Sequence, residues 1–107
     1  MIIKTLGKIA PSSAGTPVQC TTDRTIVAQT ILVSQIPATT GVTYFGRSGL
    51  VRASYANVIK GFLAPGASGF TDTLQIDAPQ GNPFVLADYW VDAAVNSEGL
   101  VVAYVEG

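Results

Sequence analysis

Short runs of β-branched and aromatic residues, separated by Gly and Pro at close intervals, constrain the fold of this chain most strongly. Apolar residues do not recur at the helical spacing i, i+3, i+4, i+7 for more than a turn, so no window predicts a helix. Runs of this kind between turn clusters are typical of β-sandwiches and barrels. The sequence therefore predicts an all-β domain, an antiparallel β-sandwich or jelly-roll-like fold of about eight strands.

The strand boundaries are predicted from these runs and from the turn residues between them. Residues 1–16 are predicted to form an N-terminal strand or arm, and residues 17–107 the sandwich core. The predicted strands are 2–9, 18–22, 25–35, 42–45, 50–53, 61–64 and 70–76, then one or two strands within 84–95, and finally 100–106.

Three connections between these strands are predicted from turn chemistry. The segment 46–49, Gly-Arg-Ser-Gly, is predicted to be a turn between two strands. Pro65-Gly66 is predicted to be a type II turn, because Pro presets the first central φ and Gly accepts the positive second one. The segment 96–99, Asn-Ser-Glu-Gly, is predicted to be a hairpin loop.

Two of the predicted strands, 25–35 and 100–106, carry apolar residues on both faces. In an antiparallel fold with one core, the second face of a strand is normally polar. Such a strand either lies between two layers of its own domain or under a loop, or it meets a partner. The partner interpretation assigns to an interface Val27, Ile31 and Val33 of the first strand and Val101, Ala103 and Val105 of the other.

Charge is scarce along the whole chain. Only 12% of the residues are charged and the net charge is −1, whereas a typical domain has about 25% charged residues. With a mean hydropathy of +0.38, the chain is predicted to be covered by neighbours in an assembly; the alternative is a monomer with a Thr-, Ser-, Gln- and Asn-rich surface. The same balance provides no basic footprint for nucleic acid, so none is expected as a partner.

No membrane segment or leader is predicted. The stretch from Thr25 to Gly46 is uncharged and long enough to span a bilayer, but its Pro37, Gly41 and many polar residues are unlike a spanning helix. The first ten residues lack the continuous apolar run of a signal peptide. We therefore expect synthesis in the cytoplasm and no membrane contact.

The residues for common catalysis are missing from the sequence. There is no histidine, which removes His-dependent hydrolases, His-ligated metals and the commonest general base. Cys20 is the only cysteine, so it forms neither a disulfide framework nor a zinc site. Asp88 and Asp92 would share one face of a strand about 13 Å apart, too far for a catalytic pair. We expect no enzyme activity, metal or cofactor.

Aromatic and arginine side chains form two clusters, one at residues 44–55 and one around Tyr89 and Trp90. Interleaved basic and aromatic residues can stack on nucleic-acid bases, but Tyr, Trp and Arg are also the usual hot-spot residues of protein interfaces. Trp90 is alternatively a core residue. From these clusters we assign Tyr44, Arg47, Arg52 and Tyr89 to the predicted interface.

Five short segments of the chain follow a shared pattern of strands and turns: Val42-Thr-Tyr-Phe-Gly46, Leu50-Val-Arg-Ala-Ser54, Phe62-Leu-Ala-Pro-Gly66, Ala87-Asp-Tyr-Trp-Val-Asp92 and Gly99-Leu-Val-Val-Ala-Tyr-Val105. This pattern resembles that of small tailed-bacteriophage virion proteins, and the resemblance covers about residues 26 to 106. Two departures are Tyr44-Phe45 before Gly46, where the pattern has one residue, and Trp90 in place of a small hydrophobe.

This resemblance implies a capsid decoration (cement) protein or another minor head protein. Its expected partners are the major capsid protein or other virion proteins, its expected place is the capsid surface, and its expected state is a homo-oligomer, a trimer. The alternative function is a carbohydrate- or receptor-binding module of a phage tail or fibre. In that case Tyr44, Tyr55, Tyr89 and Trp90 would be the stacking platforms.

Overall fold

The computed structural model describes residues 3–65 and 71–107, which contain nine β-strands, one 3₁₀ turn and no α-helix. One sheet has the strand order β1-β9-β3-β6, with β7 also paired to β3, and the other has the order β2-β8-β4-β5. All strand pairs are antiparallel. The strands are β1 (Ile3–Ile9), β2 (Val18–Gln19), β3 (Val27–Gln35), β4 (Thr43–Val51), β5 (Ala56–Phe62), β6 (Thr73–Asp77), β7 (Phe84–Val85), β8 (Tyr89–Ala93) and β9 (Leu100–Glu106), and the 3₁₀ turn is Leu86–Asp88.

The core lies between the two sheets and confirms the prediction of an all-β sandwich. Phe45 and Val91 from the β2-β8-β4-β5 sheet are fully buried. The ring of Phe45 stacks on that of Tyr89 with 5.6 Å between the ring centroids. Each large apolar side chain buried in this way contributes about 1.5–3 kcal/mol. The other sheet contributes Ile31, Val33, Leu100 and Val102, all fully buried.

The predicted turn at 46–49 is wrong, because this segment lies inside the single strand β4. Gly46 allows the close approach of the neighbouring strand, since a Cβ atom there would lie 2.2 Å from the carbonyl oxygen of Asn57. The reversal comes later, before β5, where Tyr55 has a φ of 59°. As a result β5 spans Ala56–Phe62, not the predicted 61–64.

The predicted hairpin at 96–99 is also wrong. The segment 96–99 joins β8 to β9, and these strands belong to different sheets. The loop therefore crosses from one sheet to the other. The Glu98 carboxylate supports this crossing by accepting hydrogen bonds from the backbone N–H groups of Thr40 (2.8 Å) and Gly41 (2.9 Å). The Pro65-Gly66 turn, Ile2 and Phe70 fall partly or wholly outside the described residues.

A register shift in β3 overturns part of the predicted interface. The pairing with β9 is irregular between Ala28 and Thr30, and an extra residue there changes which face the following side chains occupy. Ile31 and Val33 are therefore fully buried in the core, and their assignment to a partner-facing surface is wrong. Val27, before the shift, is half-buried.

Strand β9 follows the alternation that its sequence predicts. Leu100, Val102 and Tyr104 are buried, whereas the residues between them are half-buried on the opposite face. Val101 and Val105 thus lie on the outer face of the first sheet, where their contact with a partner stays a prediction. Across residues 3–65 and 71–107, the structure contains no helix of the length and apolarity needed to cross a membrane.

Candidate interaction surface

The hairpin formed by β4 and β5 carries most of the large apolar side chains that the described residues expose. Six such side chains are exposed, and four of them lie between the end of β4 and the residue after β5. Val51 is 48% exposed, Tyr55 68%, Ile59 41% and Leu63 77%. We call these four residues the hairpin patch. The other two, Ile3 and Val95, lie apart from it in the chain.

The hairpin patch lies along an edge of the sandwich, since β5 is the last strand of its sheet. Lys60 is the only charged residue in β5, and its ammonium group lies 3.0 Å from an Asp72 carboxylate oxygen. The hydrogen bond from Lys60 lowers the pKa of Asp72 below its ordinary value. The ammonium group also lies 5.3 Å from the centre of the Phe62 ring. The charge on this edge is therefore neutralised within the chain.

The inner side of β5 fixes the hairpin on the core. Phe62 is 1% exposed, so the strand that presents the patch is anchored by a buried ring. The Gln35 amide donates a hydrogen bond to the carbonyl oxygen of Leu63. Its side-chain oxygen accepts one from the backbone N–H of Asp72 at 2.7 Å. These contacts hold the C-terminal end of β5 against the first sheet.

The tip of the hairpin is ordered by local contacts. The ring of Tyr55 meets that of buried Tyr44 edge to face, with 6.4 Å between centroids. The side-chain amide of Asn57 donates to the carbonyl oxygen of Ser48 at 3.1 Å. The backbone N–H of Val58 donates to the carbonyl oxygen of Tyr55 at 3.3 Å. The patch is thus presented on a structured support.

Arg52, a predicted interface residue, lies over a buried carboxylate. Asp92 is 1% exposed, and one of its oxygens accepts hydrogen bonds from the backbone N–H groups of Gly15 (3.0 Å) and Ala93 (2.8 Å). The Nε atom of Arg52 lies 4.0 Å from the other oxygen. The hydrogen bond from Gly15 holds its loop against the second sheet. Asp92 and Arg52 therefore have a structural role.

The remaining predicted residues of this region are separated by the fold. Tyr44 and Tyr89 are both 8% exposed, so they pack within the domain. Burial is the main cause that raises the pKa of Tyr89. Arg47 is exposed and lines a shallow cleft of about 340 Å³ together with Ser48, Asn57 and Asp88. The structure therefore brings Tyr44 and Arg52 to the hairpin, and directs Tyr89 to the core.

The outer face of the first sheet is less exposed than the hairpin patch. Val101 and Val105 are half-buried, as is Leu32, whose partner in the register is Ala103. Ile3 pairs with Val105 at the margin of this face. Polar residues of β6 continue the same sheet. This face is a second, weaker candidate for a contact surface.

Sequence reasoning did not identify Val51, Ile59 and Leu63 as surface residues. For Ile59 and Leu63 the signal was their spacing of four residues, since residues an even number apart share one face of an extended chain. Because the predicted strand began only at residue 61, this spacing was not recognised. The described residues also contain no group of three His, Cys, Asp or Glu side chains that could hold a metal ion.

In comparisons with known proteins, no family model, no curated protein and no solved structure matches this chain.

Proposed function

We propose that this protein is a non-enzymatic structural protein of a virion, a capsid decoration protein that binds the outer shell and stabilises it. The hairpin patch is the observation that carries the proposal, because its four apolar side chains are exposed on the β4–β5 hairpin, whose second strand ends a sheet. Exposed apolar residues gathered on one surface are typical of protein contact sites. The sequence resemblance to small phage virion proteins supports the choice of a capsid as the partner.

Binding of this kind requires no chemistry. Tyr55 is the residue in the patch with hot-spot character, because a tyrosine offers a large apolar body and a polar tip. The low charge of the chain reduces the desolvation that a contact with another protein costs. A shell presents many identical sites, so a modest interface per copy is sufficient if copies also bind one another.

The alternative function, carbohydrate or receptor binding, was predicted from four aromatic rings, and most of them are not exposed. Stacking on a sugar needs aromatic rings open to solvent. Tyr44 and Tyr89 are buried and Trp90 is half-buried, which leaves Tyr55 as the single exposed ring of the four. The structure therefore favours the assembly function over this alternative.

The proposal is tested on virus particles from the source of the gene. Particles are purified by density-gradient centrifugation and their proteins are quantified by mass spectrometry. We expect this chain at a constant ratio to the major capsid protein, and we expect its extraction to lower the temperature at which the particles rupture. Its absence from purified particles would overturn the proposal.

A matched pair of variants identifies the surface that binds. Extracted particles are incubated with purified protein and sedimented again. The double variant Tyr55→Ser, Leu63→Ser is expected to lose rebinding, because both side chains belong to the hairpin patch. Val95→Ser, at another exposed apolar residue, is expected to rebind like the unchanged protein. Equal rebinding of both variants would show that the patch is not the contact surface.

A further inference from the structure

We infer that the Glu98 carboxylate is a pH-sensitive switch between two connections that each cross from one sheet to the other. In its ionised form it holds residues 36–42, which join β3 to β4, against residues 94–99, which join β8 to β9. In its protonated form it releases residues 36–42 while the two sheets stay folded. The inference goes beyond the proposed function and does not depend on it, since the switch requires no partner.

The first observation is that this one carboxylate accepts three hydrogen bonds from two neighbouring residues. The Oε2 atom of Glu98 accepts from the backbone N–H of Thr40 at 2.8 Å and from the Thr40 hydroxyl at 2.9 Å. Its Oε1 atom accepts from the backbone N–H of Gly41 at 2.9 Å. Hydrogen bonds to a charged acceptor are about twice as strong as those between neutral groups, so the negative charge strengthens all three.

The second observation is that residues 37–41 have few other attachments. Thr39 donates its backbone N–H (3.2 Å) and its hydroxyl (3.0 Å) to the carbonyl oxygen of Ile36, which belongs to the same connection. In the part of the chain that the structure describes, every hydrogen bond that joins residues 37–41 to another connection or strand is accepted by Glu98. Loss of this acceptor therefore removes all of these attachments at once.

The two connections also pack closely against each other. A Cβ atom at Gly41 would lie 2.8 Å from the Cγ2 atom of Val95 and 3.3 Å from the Cβ atom of Ala94. Glycine at this position therefore permits an approach of the backbone that a side chain would obstruct. The approach brings the N–H groups of residues 40 and 41 within hydrogen-bond distance of Glu98.

The 94–99 connection holds a third crossing segment by contacts that do not titrate. The side-chain oxygen of Asn96 accepts a hydrogen bond from the backbone N–H of Ala14 at 2.7 Å. The backbone N–H of Ser97 donates to the carbonyl oxygen of Pro11 at 2.8 Å. Residues 10–17 contain no ionisable side chain. Protonation of Glu98 therefore acts on one neighbour of the 94–99 connection, and the contacts to the other neighbour provide an internal reference.

Lys8 of β1 is the charged group that acts on Glu98, since residues 10–17 and 36–42 carry no charge. Burial acts to raise the pKa of Glu98, but the hydrogen bonds from Thr40 and Gly41 and the charge of Lys8 hold it below its ordinary value of 4.5. A lowered pKa means that the contact is complete at neutral pH and is lost as the pH falls through the lowered value.

Backbone amide signals in NMR spectra test the switch residue by residue. In a titration from neutral pH to about pH 2, we expect the signals of Thr40 and Gly41 to move together with one midpoint below 4.5. Their hydrogen exchange, corrected for its intrinsic pH dependence, should become faster at that midpoint, whereas the amides of Ser97 and of buried Val91 should keep their protection. A midpoint at or above 4.5, or loss of protection at Val91 together with Thr40, would overturn the inference.

The variant Glu98→Gln tests the same switch at neutral pH. Gln keeps one acceptor oxygen, but it has no charge and its NH₂ group faces N–H donors. We expect exchange at Thr40 and Gly41 to be at least about tenfold faster than in the unchanged protein, with unchanged exchange at Ser97. The matched control Asp88→Asn, at an exposed carboxylate, should leave all three amides unchanged. Unchanged exchange at Thr40 and Gly41 in Glu98→Gln would contradict the inference.

A second variant keeps the carboxylate and removes one of its donors. Thr40→Val lacks the hydroxyl that donates to Oε2 of Glu98. Because a hydrogen bond to the ionised form lowers the pKa of a carboxyl group, we expect the midpoint of the Gly41 amide signal to rise toward 4.5. A midpoint that does not move would show that Thr40 does not bind the ionised carboxylate, and the switch would be refuted.

Discussion

Strands β1 and β5 have the same length, seven residues, and each ends a sheet. Their surfaces differ. In β1 the ammonium group of Lys4 lies 2.6 Å from a Glu106 carboxylate oxygen, and Lys8 adds a second charge. In β5 the single lysine is likewise paired with a carboxylate, and apolar residues are exposed around it.

The two edges share few charges between them. The sequence has six Lys and Arg residues in total; two of them are in β1 and one is in β5. Lysines on an edge strand discourage strand addition, so the two edges differ in this protection. The following predictions test the difference between them, from the largest expected effect to the smallest.

The largest effect is expected from the inner side of β5. Phe62→Ala removes a ring that is 1% exposed and should destabilise the domain by about 3–5 kcal/mol. Leu6→Ala in β1 should cost only about 1–2 kcal/mol, because Leu6 is half-buried against the core. Urea unfolding followed by tryptophan fluorescence measures both. Equal losses would show that the two edges are anchored equally well.

The next largest loss of stability is expected from Asp92, the buried carboxylate beside Arg52. Asp92→Ala leaves the backbone N–H of Gly15 without its acceptor and should cost about 2 kcal/mol. The matched control is Asp88→Ala, whose carboxylate is 41% exposed and paired with Arg24, and which should change stability by less than about 0.5 kcal/mol. Both are read from urea midpoints; similar shifts in the two variants would contradict a structural role specific to Asp92.

Removing the charges of β1 should make it resemble β5. In the double variant Lys4→Val, Lys8→Val, β1 loses both of its lysines. We expect the variant to self-associate more strongly than the unchanged protein by sedimentation, since β1 then has no lysine to discourage strand addition. The control, Lys8→Arg, keeps the charge and should behave like the unchanged protein. If the double variant retains the original mass, charge is not what distinguishes the edges.

The smallest effect is expected from pH. The pKa of Asp72 is lowered from 3.8, first by the hydrogen bond from Lys60, so the pair is complete above that pH and is lost as the pH falls through the lowered pKa. Loss of the pair removes a contact between β5 and the residue before β6, so the domain should lose a little stability in acid. Asp72→Asn should show the same small loss at neutral pH, measured by the urea midpoint. An unchanged midpoint in this variant would show that the pair does not contribute to stability.

Much of the fold could be predicted because alternation and turn residues are local signals. The all-β class, the apolar faces of β9 and the approximate position of β3 all follow from side-chain periods of two. Position 46 was misread because glycine is common both in turns and where two backbones approach closely. The loop at 96–99 was misread because the local sequence does not specify which sheet the next strand joins.

The sequence by itself determined the chemistry that is available: few charges, no histidine and apolar residues recurring every four positions after Tyr55. Only the tertiary structure decided which apolar residues are inside. The register shift near Gln29 buries Ile31 and Val33, and the position of β5 at the end of its sheet leaves Ile59 and Leu63 exposed. The physical reason is that burial depends on strand order and register, which arise from contacts between residues far apart in the chain.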